Sequence, residues 1–535
     1  MVIFVVSLFR RNFIKMSAKQ KFYITTAIAY VNAPPHLGHA LEFVETDAIA
    51  RYKRMMGYDV YFLTGTDEHG VKMFNTAKKA GISTSELVAK NAAIFKSLKG
   101  LLNLSNDDFI QTSDKKRHWP SCQKLWKKLM ESDDIYEKEY EGLYCEGCEV
   151  FLKETELVNG ECPIHKKPPV LLKERNYFFK LSKYSDKILN LIETDKLRIV
   201  PSSRKAEFYN IVKDGLHDVS FSRPRDVLPW GVDVPNDKNQ VMYVWCDALT
   251  NYISALGYSE NAELFKRYWP ADVHVIGKDI VRFHAGIWIG MLLSAGLPIP
   301  HSILIHGFIT HNNEKMSKTL GNVVDPIGMV EKYSTDALRY YLLREIPVGR
   351  DGDFNDQLFI DRYNSDLANN LGNLVNRVHT LVTRNEVKDF DFNKFADVYR
   401  KKTDETWKKY KSDMDEYNIH EAVFHVWRLI DFANKMMEEE KPWSLVKDDP
   451  AVQGSEEPSG SRREKGRAVL CNILEVLRHV SIMLVPFLPE TSQRIRRQIG
   501  LMNKEIDIKK DLEWGSAKKW LSLGEKEIMF PRIEQ

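Results

Sequence analysis

Phe22-Tyr23-Ile24-Thr25-Thr26-Ala27, followed by Asn32-Ala33-Pro34-Pro35-His36-Leu37-Gly38-His39, is the stretch whose reading decides the fold. An apolar run leads into a proline-marked turn. The turn opens a helical repeat with apolar residues at Leu41, Val44, Ala48, Ile49 and Tyr52. Strand, turn and helix N-terminus in this order make the phosphate-binding unit of a dinucleotide-type fold, so the expected class is α/β with a Rossmann-type parallel sheet.

The chemistry of the turn points the same way. Gly38 leaves bare backbone for adenine or ribose to approach, while His36 and His39 can donate to phosphate oxygens as charge builds there. A second motif, Lys315-Met316-Ser317-Lys318-Thr319, supplies ammonium groups suited to a leaving pyrophosphate, and Asn312-Asn313 and Gly321-Asn322 flank it as a mobile loop. A single HxGH is often a core histidine and a single KxSK is usually a solvated loop. In this order and at this distance they read as two halves of one ATP site, with His36, His39, Lys315 and Lys318 as the catalytic candidates.

In this combination the chain resembles the class I aminoacyl-tRNA synthetases, over nearly everything after about Lys19. The methionyl-tRNA synthetase family is the specific match. The further segments that carry the resemblance are Ala27-Ile28-Ala29-Tyr30-Val31-Asn32, Gly65-Thr66-Asp67-Glu68-His69-Gly70, Tyr243-Val244-Trp245-Cys246-Asp247-Ala248 with Tyr252, and Ile276-Gly277-Lys278-Asp279-Ile280-Val281-Arg282-Phe283-His284. The implied reaction joins L-methionine to the α-phosphate of ATP, accompanied by Mg2+, and then passes the acyl group to tRNA(Met).

Methionine needs an anion for its ammonium group and a shaped apolar pocket for its thioether. Asp67 is the anion candidate, at the end of the expected strand Val60-Tyr61-Phe62-Leu63, where ligands bind in open α/β sheets. By resemblance the pocket is Ala27, Ile28, Tyr30, Trp245, Ala248, Leu249, Tyr252 and His284, rings and polar tips near a sulfur. Resemblance also gives the ribose hydroxyls to Glu42 and Asp279, with Gly277 permitting close approach and Lys278 adding positive charge. Without it, Glu42 reads as a helix-dipole carboxylate and Trp245 as core. Two positions depart from the family: Leu249 stands where proline is common, and Thr319 where serine is usual.

With 535 residues, 43% of them hydrophobic and 28% charged, the chain is too long for one domain and fits about three or four structural units. A net charge of only +3 excludes a general nucleic-acid coating protein, so RNA has to be met by local basic strips. The six cysteines do not form a secreted disulfide pattern. Four residues, Cys145, Cys148, Cys162 and His165, have instead the spacing of two short turns that close a Cys3His shell around one Zn2+. A filled shell has no open position for water, so the metal is expected to be structural.

The chain is expected to divide into a first catalytic half over 20–119, a zinc-bearing insertion over 120–222, a second catalytic half over 223–320 ending in the lysine loop, a connecting module over 321–365 and a helical anticodon-binding domain over 366–535. The short insertion favours methionine, because relatives specific for isoleucine, valine and leucine carry a far larger editing domain. Asn373 and Arg377 lie four apart on one helix face, and resemblance assigns them, with Trp443, to anticodon bases. The stretch near 449–466 has linker composition and reads as a flexible loop. The apolar leader 1–19 reads as disordered, with Met16 as an alternative start. No run reaches the roughly 18 apolar residues of a membrane helix, so a cytoplasmic, membrane-free enzyme is expected. A monomer is expected because the chain stops at Phe530-Pro531-Arg532-Ile533 without a further barrel. Two alternatives stand beside this reading: another HxGH nucleotidyltransferase, which would lack the helical domain, and a catalytically silent tRNA-binding protein.

Overall fold

The computed structural model describes residues 19–145, 150–164, 166–316, 322–387, 390–446, 459–501, 506–516 and 523–534. The opening stretch forms β1 (Lys21–Thr26), β2 (Ala29–Tyr30) and helix α1 (Leu37–Met55), followed by β3 (Asp59–Asp67) and β4 (Asp108–Gln111). β1 pairs in parallel with β3 on one side and with the strand Val273–Gly277 on the other. Outward from these lie β4 beyond β3, and Ser302–His306 then Arg198–Val200 beyond Val273–Gly277, all parallel. The chain therefore leaves β1 in one direction and returns later on its other side. That reversal opens a crevice at the carboxyl ends of β1 and Val273–Gly277, where ligands bind in such sheets.

α1 forms because its apolar residues recur at helical spacing and all meet the sheet: Leu41, Val44, Ala48, Ile49 and Tyr52 are at most 1% exposed. Its last turn carries Lys53 and Arg54, the charge sign that a helix C-terminus favours.

The expected insertion over 120–222 is not one unit. Its first helix, Trp119–Glu131, buries Leu125, Trp126 and Leu129 in the same core as Tyr23 and Leu63 of the sheet. Its last part returns to the sheet as Arg198–Val200 and the helix Ser202–Lys213. What projects between them is a ribbon of Ile135–Cys145 against Val170–Phe179, paired from Ile135↔Phe179 to Tyr144↔Val170, with Val150–Leu152 and Val219–Ser220 along its edges. The boundary was missed because three residues of edge strand carry too little periodicity to read.

The connecting module is tied to the lysine loop by pairing. Gly352–Phe354 runs parallel to Ile309–His311, whose other neighbour is the two-residue strand Glu314–Lys315. The helical part contains Asn373–Arg384, Asp397–Asp415, Ile419–Glu440, Ser459–Met483 and Pro489–Gln498. It shares one continuous core with α1. The flexible loop expected near 449–466 falls partly outside the described residues, and its end belongs to a helix. Residues 447–458 lie outside the described ones, and from Ser459 the chain is helical, carried by the apolar residues that begin at Ala468. The leader expected over 1–19 lies outside the described residues except for Lys19. No described helix is long and apolar enough to cross a membrane.

Candidate active site

The two histidines of the turn close the N-terminus of α1. His36 Nδ1 accepts from the Gly38 N–H at 3.0 Å, and His39 Nδ1 accepts from the His36 N–H at 3.2 Å. An imidazole whose Nδ1 accepts a backbone proton carries its own proton on Nε2, so the cap fixes the tautomer of both rings. Burial first, then the neighbouring His36 and His306, hold His39 well below the usual histidine range. It is therefore a neutral N–H donor at the positive end of a helix, a combination whose chemistry suits an anion. Gly38 serves this arrangement differently from the expectation. A Cβ there would stand 2.8 Å from His36 Cε1, so the bare backbone makes room for the histidine ring.

One turn on, Glu42 is gripped by His306, whose Nε2 donates to the carboxylate at 2.9 Å. Burial works against the charge on His306, but the bond and charge of Glu42, with Glu45 behind it, hold the imidazolium at about 9. Gly277 is required by a close approach, since a Cβ would lie 2.8 Å from Asp279 Oδ1 and 3.7 Å from the His306 ring. Glu42 and Asp279 thus stand near each other across the crevice between α1 and the end of Val273–Gly277; burial above all, with a smaller contribution from the Asp279 charge, raises Glu42 against the pull of His306. Lys278 departs from the expectation. Its ammonium group is held by both carboxylate oxygens of Asp351, at 2.6 and 2.8 Å, and lies over the Phe308 ring, so its charge is spent on the connecting module. Lys315 sits in its short strand, and Ser317, Lys318 and Thr319 lie outside the described residues.

The residues expected around the amino acid gather at the same sheet edge. Asp67 ends β3, 7% exposed, and its register partner is Tyr30. Ala27 donates its N–H to Val275 O at the end of β1, and Ile28 follows it half-buried. Ala248, Leu249 and Tyr252 are buried, on the consecutive short helices Val244–Leu249 and Asn251–Ser254. His284 enters from Arg282–Trp288, a wide i→i+5 helical turn of the kind found at functional sites. The His284 ring bonds Ile280 O through Nδ1 at 3.0 Å, so that its Nε2 accepts from the Tyr252 hydroxyl at 2.7 Å. Burial drives His284 down to about 4 and Tyr252 well up, so both stay neutral. Their protons are already donated to partners, which leaves an apolar wall rather than two free polar tips. Trp245 lies flat on Phe283, ring centres 3.6 Å apart and planes within 4°.

The family model for class I tRNA synthetases (M) matches residues 22–168 and 153–379. A methionine–tRNA ligase of Caldanaerobacter subterraneus subsp. tengcongensis is 42% identical over 528 residues, covering 96% of this chain and 79% of that one. The corresponding ligase of Brucella suis biovar 1 is also 42% identical, over 89% of this chain and 91% of its own. Among solved structures, a Mycobacterium tuberculosis methionyl-tRNA synthetase in complex with methionyl-adenylate superposes with a TM-score of 0.88 at 38% identity, covering 96% of this chain and all of that one. The chain belongs to the methionyl-tRNA synthetase family.

For a methionyl-tRNA synthetase, the region distant from the sheet edge matters too. Asn373 and Arg377 fall on the helix Asn373–Arg384, the first exposed and the second half-buried. The Arg377 guanidinium lies over the Trp443 ring, 5.2 Å from its centre, and bonds Glu438 at 2.6 Å. Of the three residues expected to read the anticodon, Arg377 and Trp443 therefore meet, and Asn373 lies one helical turn before Arg377. Of the expected metal ligands, Cys145 and Cys162 are 4% and 1% exposed, and Cys148 and His165 lie outside the described residues. Sequence reading passed over two residues here. Phe283 lies inside a quoted motif, beside His284, and a second aromatic next to a pocket histidine was its signal. The signal for His306 was a polar residue ending the apolar strand Ile303-Leu304-Ile305 at the ligand-binding edge.

Proposed function

We propose that this chain activates L-methionine with ATP and then charges tRNA(Met), with the roles divided along the sheet edge. The methionine carboxylate attacks the α-phosphate, the bond to the pyrophosphate breaks, and pyrophosphate leaves with Mg2+. The adenylate then passes its acyl group to a hydroxyl of the terminal adenosine of tRNA, releasing AMP. No covalent bond to the protein is involved, so the residues act by positioning and by stabilising charge. In this reading Asp67 receives the ammonium group, and Ala27, Ile28, Tyr30, Trp245, Ala248, Leu249, Tyr252 and His284 enclose the thioether. Glu42 and Asp279 take the ribose, Gly277 allows close approach, Gly38 makes room for the His36 ring, and His36, His39, Lys315 and Lys318 meet the phosphates.

The observation that carries this reading most is the pair of histidines capping α1 beside Glu42 and Asp279, with an apolar, aromatic wall at the same sheet edge. A nucleotide and an amino acid with an apolar side chain would meet there, the polar groups of each facing fixed partners and the thioether facing the apolar wall.

A structural Zn2+ fits the ribbon's tip on its own chemistry. Cys145 and Cys162 are buried thiols, yet Val158, Ile164, Val170 and Leu171 around them are 48 to 60% exposed. With these described apolar residues exposed, the tip needs another staple, and Cys145, Cys148, Cys162 and His165 would provide one. Asn373, Arg377 and Trp443 would contact anticodon bases, a monomer would suffice for both steps, and the cytoplasm, where charged tRNA is consumed, would be the site of action.

Trp443→Ala tests the division between the two steps. It removes a stacking face worth about 1 to 3 kcal/mol. Aminoacylation of tRNA(Met) should fall by roughly tenfold while methionine-dependent ATP–pyrophosphate exchange stays near the parent rate, and Arg377→Ala should do the same. Equal losses in both reactions, with a lower melting temperature, would make Trp443 a packing residue.

A further inference from the structure

Asp247 stands one residue before Ala248 in the pocket helix, is fully buried, and takes no part in the roles assigned above. Its carboxylate bridges two imidazoles. His69 Nδ1 lies 2.5 Å from Oδ2, and His118 Nε2 lies 2.6 Å from Oδ1. The other nitrogen of His118 is 2.7 Å from Ser254 Oγ, so His118 also grips the second pocket helix two residues beyond Tyr252. The His69 ring is held edge-on between Trp119 and Trp230, and the Trp230 indole N–H donates to Glu68 O at 2.7 Å. Glu68 in turn accepts from Thr66 at 2.6 Å, from Gln111 at 2.9 Å and from Ser113. One carboxylate therefore joins the turn that carries Asp67 to the helices that carry Trp245, Ala248, Leu249 and Tyr252.

Burial alone would raise Asp247, but the two histidines outweigh it and hold it at about 2. A buried ion held this way is a poor source of stability, and its best-attested use is to fix geometry. Directional bonds to two rings fix a distance and an angle, which apolar packing at the same place would not. His118 Nε2, Cys122 Sγ and Asp247 Oδ1 also lie within 4.8 Å of one another, as metal ligands can. The 2.6 Å separation of nitrogen and oxygen is instead that of a hydrogen bond, since ligands at about 2.1 Å from a tetrahedral ion stand roughly 3.4 Å apart.

We propose that Asp247 is a positioning residue for methionine: through His69 and His118 it sets the spacing between Asp67 and the Trp245–Leu249–Tyr252 wall, and so governs which amino acid is accepted. The proposal rests on the reading of Asp67 and that wall as the amino-acid site, and its consequence is a change in methionine KM rather than in turnover.

The test is steady-state ATP–pyrophosphate exchange with the full-length protein, with methionine, leucine and norleucine as amino acids. Asp247→Asn should raise the methionine KM at least tenfold, keep kcat within about threefold and the ATP KM within about twofold, and narrow the preference for methionine over leucine. His118→Ala should move the same constants, and His118→Gln, which restores an N–H donor, should recover most of the loss. This pair keeps the proposal testable if Asp247→Asn fails to fold. An unchanged methionine KM, or an equal loss in kcat and in both KM values, would overturn it. So would a fall in bound metal per chain in either Asp247→Asn or His118→Gln, which would make the cluster a metal site. Asp67→Asn separates the underlying reading: if it leaves the methionine KM untouched, Asp67 is not the ammonium site, whatever Asp247 does.

Discussion

Glu45 faces His306 from one turn behind Glu42, fully buried, and its Oε2 has no hydrogen-bond partner among the described residues. Burial raises it from 4.5 to about 7, with His306 opposing and Glu42 adding to the shift. A carboxyl raised on folding keeps its proton longer in the folded state, so its contribution is present below about 4.5 and is lost as pH rises through about 7. His306 has the same sign in a later window: its contribution is complete below 6.5 and disappears as pH rises through about 9. Glu45→Gln should flatten the first slope and stabilise the protein at about pH 8 by roughly 2 to 4 kcal/mol. His306→Gln should flatten the second. Chemical denaturation at about pH 5, 7 and 9 measures both, and a Glu45→Gln variant with the parent's full pH dependence would refute the assignment. None of this was legible in the sequence. Glu45 falls at an ordinary helical position, its raised proton affinity comes from burial, and the histidine that opposes it lies more than 250 residues away.

Among the elements, α1 was readable in detail because periodicity, cap and turn all agree on it. The strands at Phe22–Ala27 and Val60–Leu63 were readable as apolar runs, whereas their parallel pairing and the neighbouring Val273–Gly277 came only with the structure. Arg198–Val200 was not readable, because its pairing with Ser302–His306 spans a hundred residues and leaves no local mark. Nor was Arg339. It lies fully buried in the helix Thr335–Glu345, bonds Asp47 of α1 at 2.8 Å, and donates to Leu102 O, Pro486 O and Phe487 O between 2.8 and 3.0 Å. One guanidinium thus ties the helix bearing His36 and His39 to the turn before Pro489–Gln498. Arg339→Ala strands those carbonyls and half of the pairing of Asp47, so it should cost about 3 to 5 kcal/mol. An unaltered melting curve would show that the junction is held by its apolar core alone. At the ribbon's tip, Cys162→Ser should release about one zinc per chain and open the tip to limited proteolysis, while exchange activity persists. Metal-free parent protein with an equally protected tip would contradict that.

On the scale of the whole molecule, a Rossmann-type parallel sheet followed by a helical C-terminal region was visible before the structure. What the sequence could not supply was their mutual fit, since the shared core of α1 and the helical part is made of residues hundreds of positions apart. The central claim is that the crevice beside α1 selects methionine, and it is tested most directly by ATP–pyrophosphate exchange with each single amino acid in turn. Methionine alone should drive exchange at full rate, with leucine, isoleucine and valine lower by at least about a hundredfold, within the reach of an apolar pocket. Exchange driven by isoleucine or valine and not by methionine would contradict the account.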